Sequence, residues 1–148
     1  MILTGRLADG RICSGSADNY IKIWNLESGI CEVTLTGHTS SVNVIIQLRD
    51  NRRCSASSGS NIMIWNIASY SCEITLIDHT GYVLTLVELI DGLLCSGSGD
   101  GTIRLWNIDD GVCEKMLTGH IRSVHAVLQL EDGRICSASN DGTTKIWS

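Results

Sequence analysis

Trp24, Trp65, Trp106 and Trp147 stand 41 residues apart, and the residues around each tryptophan repeat in the same register. ICSGSADNYIKIWN ends at Asn25, CSASSGSNIMIWN at Asn66 and LCSGSGDGTIRLWN at Asn107, and ICSASNDGTTKIW closes just before Ser148. The same interval separates Cys13, Cys54, Cys95 and Cys136, and also His38, His79 and His120. A fixed period near 40 residues means that one supersecondary unit is stacked on copies of itself, because a single unit cannot bury its own apolar face. The 148 residues hold about three and a half such units, enough for one domain with a core.

Composition narrows the partners. Eleven basic against sixteen acidic residues give a net charge of -5. That balance disfavours nucleic acid, which needs clustered cations to displace counterions. No apolar run approaches the ~18 residues of a membrane helix, so no membrane span is expected. The start, MILTGRLADG, lacks the basic head and cleavage site of a signal peptide. The seven cysteines alternate at spacings of 18 and 23, without the close pairs that zinc favours, so no metal and no cofactor is expected. An odd count without an export signal points to a reducing, cytoplasmic setting with buried apolar thiols.

Within each period four strands are legible. The first is a nearly continuous apolar run: Met1–Leu7, Val42–Leu48, Val83–Leu89 and Val124–Leu130. So little alternation suggests burial on both faces. Asp9-Gly10, Asp50-Asn51, Asp91-Gly92 and Asp132-Gly133 then predict two-residue hairpin turns with positive φ. The cysteine-bearing strand follows, then the tryptophan strand. The fourth strand alternates, with Cys31, Val33 and Leu35 on one face and Glu32 and Thr34 on the other; Lys115 breaks the pattern in the third copy. Four antiparallel strands, fully buried first and half exposed last, make a propeller blade. The expected architecture is all-β, with blades at about 1-35, 42-76, 83-117 and 124-148 in a single domain.

Over its whole length the chain resembles the WD-repeat (WD40) β-propeller family. Gly37-His38, Gly119-His120, the SGS-x-D-G-T turns and the closing Ile-Trp-Asn carry the resemblance. Asp78 replaces the glycine before His79, and Gly59 replaces the turn aspartate of the second blade. Asn25, Asn66, Asn107 and Ser148 stand where the family has aspartate after tryptophan.

The resemblance implies a hydrogen-bonded chain of Asp, His, Ser and Trp inside each blade. The sets are His79, Ser96, Asp100 and Trp106 in the third blade, and His120, Ser137, Asp141 and Trp147 in the fourth. The second blade has His38, Ser55 and Trp65 without the anion and is expected to be the loosest. The first has Ser14, Asp18 and Trp24, with its histidine slot before Met1. On paper each set resembles a hydrolase triad. A hydrolase needs one activated serine beside one oxyanion pocket, and repetition at every period points to a structural role and to a chain that is not an enzyme. His125, an extra histidine on a first strand, is expected to be solvated or to line a central channel.

The family implies a non-enzymatic scaffold that displays a rigid propeller face to protein or peptide partners. Loops joining outer to inner strands, with the second-to-third turns, would form one face, carrying Ser40, Ser41, Asn61, Tyr82, Arg122 and Ser123. Tyrosine and arginine are enriched among binding hot spots, which singles out Tyr82 and Arg122. Gly29–His38 and Gly111–His120 look like propellers attached to F-box domains, so a substrate receptor in ubiquitin ligation is an alternative, as is a self-assembling structural repeat. The last period stops after a third strand, so ring closure within one chain is expected to be incomplete. The reading is then either a piece of a longer propeller or two copies that complete an eight-bladed ring.

Overall fold

The computed structural model describes residues 2–148, with side chains from Gly5 onward. Four antiparallel sheets follow one another along the chain. The first contains β1 (Ile2–Arg6), β2 (Ile12–Gly15), β3 (Ile21–Trp24) and β4 (Cys31–Leu35). The second contains β5 (Val42–Gln47), β6 (Arg53–Ser57), β7 (Asn61–Asn66) and β8 (Ser71–Ile77). The third contains β9 (Val83–Glu88), β10 (Leu94–Ser98), β11 (Ile103–Trp106) and β12 (Cys113–Leu117). The fourth contains β13 (Val124–Gln129), β14 (Ile135–Ser139) and β15 (Thr144–Trp147), so β15 is a sheet edge among the described residues. No helix forms among them. Met1, expected to open the first strand, lies outside the described residues.

First strands meet first strands: β1 touches β5, β5 touches β9 and β9 touches β13. The sheets are therefore blades whose inner strands face a common axis, and the ring they start is not closed. Three apolar clusters fill the spaces between consecutive blades. Leu7, Ile21, Ile23 and Leu35 pack on Val42, Ile45 and Trp65. Leu48, Ile62, Ile64 and Leu76 pack on Val83, Leu86 and Trp106. Leu89, Ile103, Leu105 and Leu117 pack on Val124 and Ile135. The cores thus lie between blades, as the repeat requires.

Two sequence expectations change. The fully buried strand is second in the sheet, since β6 and β10 are buried along their whole length while β5 and β9 are only partly so. A second strand has sheet neighbours on both sides, and its Cys, Ser, Ala and Gly side chains are small enough to lie under an adjacent blade. A first strand is a sheet edge beside the axis; on β13, His125, Ala126 and Leu128 are exposed. The inner hairpins are also one residue longer than expected. Leu7 N–H donates to Arg11 O at 2.7 Å and Gly10 N–H to Leu7 O at 3.0 Å, and the pattern recurs at Leu48, Leu89 and Leu130. The positive φ falls on the third loop residue, Gly10, Asn51, Gly92 or Gly133, as in a turn followed by a left-handed bulge residue.

Outer strands alternate as expected. Glu32 and Thr34 on β4, and Glu73 and Thr75 on β8, face outward.

Candidate functional site

Inside the third blade a continuous hydrogen-bonded chain crosses the sheet. Trp106 Nε1–H donates to Ser96 Oγ at 2.8 Å, and Ser96 Oγ lies 2.8 Å from His79 Nε2. His79 Nδ1 lies 2.8 Å from Asp100 Oδ2. An ionised carboxylate only accepts, so Nδ1 carries a proton and Nε2 receives the serine hydroxyl. Asp100 also accepts from Thr102 Oγ1–H at 2.6 Å, Thr102 N–H at 2.8 Å and Thr80 N–H at 3.0 Å. Burial raises its pKa, but the bonds from Thr102 and His79 outweigh that and hold the carboxyl at about 2. Burial lowers the pKa of His79 against the pull of Asp100.

The fourth blade repeats the chain through Trp147, Ser137, His120 and Asp141 at 2.8, 2.9 and 2.8 Å. The Thr143 hydroxyl is the main group holding Asp141 well below the usual carboxylate range, against the effect of burial. In the first blade Trp24 donates to Ser14 Oγ at 2.8 Å. Asp18 accepts the N–H of Tyr20 at 3.1 Å.

The second blade departs from expectation. His38 Nε2 meets Ser55 Oγ at 2.6 Å, and Trp65 completes the chain at 2.8 Å. With Gly59 in the aspartate position, His38 still finds an acceptor: Asn61 Oδ1 at 3.2 Å. Ser57 Oγ–H donates to the same oxygen at 2.8 Å. Asn61, assigned from sequence to the partner face, therefore has its amide oxygen committed to the blade interior and leaves that set. It stands 41 residues before Thr102, so the signal was a substitution at the threonine slot.

Ser96 is completely buried. Its oxygen accepts from an indole and its proton goes to a histidine, so Ser96 of the Asp-His-Ser arrangement is held inside the blade without access for a substrate. Cys54 and Cys95 lie equally deep; burial pushes both thiols up, that of Cys95 to about 12, so neither is a ready nucleophile. No group of three metal-capable side chains converges among the described residues.

The loops leading into the first strands lie against the second-to-third turns. Gly99 N–H donates to Tyr82 O at 2.7 Å, and Asn140 N–H to Ser123 O at 2.9 Å. Ser98 Oγ–H holds Gly81 O at 3.0 Å, and Ser139 Oγ–H holds Arg122 O at 3.0 Å. A Cβ on Gly81 would stand 2.6 Å from Asp100 N, so only glycine allows that approach. A Cβ on Gly99 would stand 3.4 Å from Tyr82 N and 3.7 Å from Ser123 Oγ, and one on Gly101 would stand 3.4 Å from Arg122 O, so both loops lie beside this turn. Tyr82 and Arg122 are thus exposed on adjacent loops, Tyr82 at 60 %. Ser40, Ser41 and Ser123 are half-buried, and Ser41 Oγ–H reaches Ala17 O at 3.4 Å. Ile121, absent from the sequence-based set, is 86 % exposed beside Arg122. It replaces the threonine that follows His38 and His79.

The WD40 profile, described as WD domain, G-beta repeat, matches residues 5–25, 29–66, 70–107 and 111–148. The chain belongs to the WD40 family. Among solved structures, the WD40 beta propeller domain of Doa1 superposes with a TM-score of 0.84 at 24 % sequence identity. The match covers 93 % of this chain and 46 % of that one, so the WD40 chain described here spans about half the length of that domain's chain. No curated protein sequence matches it. WD40 propellers generally act as platforms for protein or peptide partners.

Proposed function

We propose that the chain is a non-enzymatic interaction scaffold whose binding face is centred on Tyr82, Ile121 and Arg122. The observation that carries this reading is the exposure of three anchor-type side chains on two adjacent loops, each held by hydrogen bonds to the second-to-third turn of its own blade. Tyrosine and arginine dominate binding energy where they are found in interfaces. Loops already held by hydrogen bonds lose little freedom on association. The face suits a protein segment that sets a carboxylate against Arg122 and an apolar side chain between Tyr82 and Ile121. Ser40, Ser41 and Ser123 border it.

Affinity capture with the folded chain, compared with a Tyr82→Ala, Ile121→Ala, Arg122→Ala triple variant, tests the assignment. Specifically captured proteins should be lost from the variant while its thermal midpoint stays within roughly 5 °C of the parent, since exposed loop substitutions cost roughly 0.5 kcal/mol or less each. An unchanged set of captured proteins would move the binding face elsewhere.

A further inference from the structure

The end blades of the arc carry the two halves of the joint that neighbouring blades share, and we infer that a second copy of the chain sits against them head to tail. These end faces are distinct from the display face. Between the second and third blades the joint has an ionic part and an apolar part. Arg52 pairs with Asp50 at 2.7 Å in its own hairpin and reaches Asp109 of the next blade at 3.5 Å. One blade earlier Arg11 holds Asp9 at 2.6 Å and crosses to a neutral partner, the Tyr70 hydroxyl, at 3.0 Å, and in the third blade Leu93 takes the arginine position.

Arg134 stands two periods after Arg52, and Glu27 stands two periods before Asp109. Arg134 has the hairpin contact, with Asp132 at 2.7 Å, but no cross-blade partner among the described residues. Glu27 makes no ion pair among them. It lines, with Arg6, Asp9 and Leu26, a concavity of about 310 Å³ on the first blade. A first blade laid against the fourth, as the third lies against the second, brings Glu27 to Arg134.

The apolar part matches as well. Ile146 on the fourth blade is 48 % exposed, whereas its counterparts Ile23, Ile64 and Leu105 are buried between blades. Leu26 on the first blade is 43 % exposed, whereas its counterpart Ile108 is buried. Leu128 is exposed where Ile46 and Val87 pack against a core cluster. The arc matches 46 % of the Doa1 propeller chain, so two arcs supply about one propeller's length. Head-to-tail contact at both ends then gives a closed pair.

Light scattering and sedimentation on the 148-residue chain test the inference. The expected mass is twice 16.0 kDa at roughly ten micromolar, within the range of a specific contact of this kind. Glu27→Arg or Arg134→Glu alone should raise the dissociation constant about tenfold or more, because each places like charges in both joints. An equal mixture of the two variants should restore the pair, since each joint again holds one glutamate and one arginine. Ile146→Asp should give a monomer with unchanged far-ultraviolet circular dichroism. A parent chain that stays monomeric overturns the inference. So do a pair indifferent to both charge reversals and a mass that grows without limit with concentration.

Discussion

His38 turns Nδ1 toward the amide oxygen of Asn61 at 3.2 Å, where His79 and His120 each meet a carboxylate at 2.8 Å. A neutral acceptor at longer range is the weaker partner, because charge-assisted hydrogen bonds are about twice as strong as neutral ones. A Cβ built on Gly59 meets nothing closer than Ser57 Oγ at 3.3 Å, and Gly59 does not use a left-handed φ. The double substitution Gly59→Asp, Asn61→Thr therefore recreates the third-blade arrangement. It should stabilise the chain by about 1 kcal/mol, a rise of roughly 3 °C in thermal midpoint at this length. A midpoint unchanged or lowered sinks the account.

One residue further on, Ser60 has φ of 70°, where the third and fourth blades have Gly101 and Gly142 at 82°. A side chain in the left-handed region costs about 1–2 kcal/mol, partly offset by the greater unfolded-state freedom of glycine. Ser60→Gly should raise the midpoint by a degree or two. Calorimetry showing a fall would mean that the Ser60 side chain has a compensating role.

Acid should act on this fold in two stages. Burial lowers His38 and His79 below 6.5 in the folded chain, so below 6.5 the unfolded state binds more protons and stability falls with pH. Asp100, about 2 when folded against 3.8, contributes stability that is complete above 3.8 and is lost as pH falls toward 2. Denaturant unfolding of the parent and of Asp100→Asn at pH 7.5, 5.5 and 3 should show the variant's deficit shrinking only at the lowest pH. Nitrogen shifts of His79 at pH 7.5 should report a neutral ring protonated on Nδ1. A charged ring at that pH contradicts the assignment.

Asp78 departs from the family glycine, and Arg104 answers it at 3.0 Å. Arg104 Nε is buried without a hydrogen-bond partner, so the guanidinium relies on Asp78. Asp78→Gly alone should cost about 0.5–1 kcal/mol, the upper range for an ion pair whose carboxylate is exposed. Adding Arg104→Met, the residue type at Met63 in the second blade, should recover that loss. Additive effects in the double-mutant cycle would show the pair to be uncoupled.

The 41-residue period made the blades and their strand order legible in the sequence, because each is a local pattern said several times, and the resemblance to WD-repeat propellers implied the members of the buried Asp-His-Ser-Trp chains. What escaped was carried by single departures whose meaning depends on distance in space. Asn61 occupies a threonine slot, and only the folded sheet brings that slot, 23 residues away, to His38. Asp78 and Arg104 sit 26 residues apart, and their partnership is invisible until the outer loop folds over the third strand. Ile121 differs from Thr39 and Thr80 at a loop position, where no periodicity says whether an apolar side chain is covered. The deeper burial of second strands follows from packing between sheets, which a strand's own hydrophobicity does not record.

Where β2 and β10 have Gly15 and Gly97, β6 and β14 have Ala56 and Ala138. A Cβ on Gly15 would stand 2.6 Å from Val42 Cγ1, and one on Gly97 would stand 2.8 Å from Val124 Cγ1. A chain of near-identical units runs the risk of threading a strand into its neighbour's place while folding. A slip of one unit would set an alanine methyl where Val42 or Val124 must first move aside, whereas Val83 already accommodates Ala56 in the native core. A slip of two units avoids that collision but must first close a loop about twice as long, at an extra entropic cost near 0.6 kcal/mol. One methyl group, present or absent by turns, therefore biases the order of the strands.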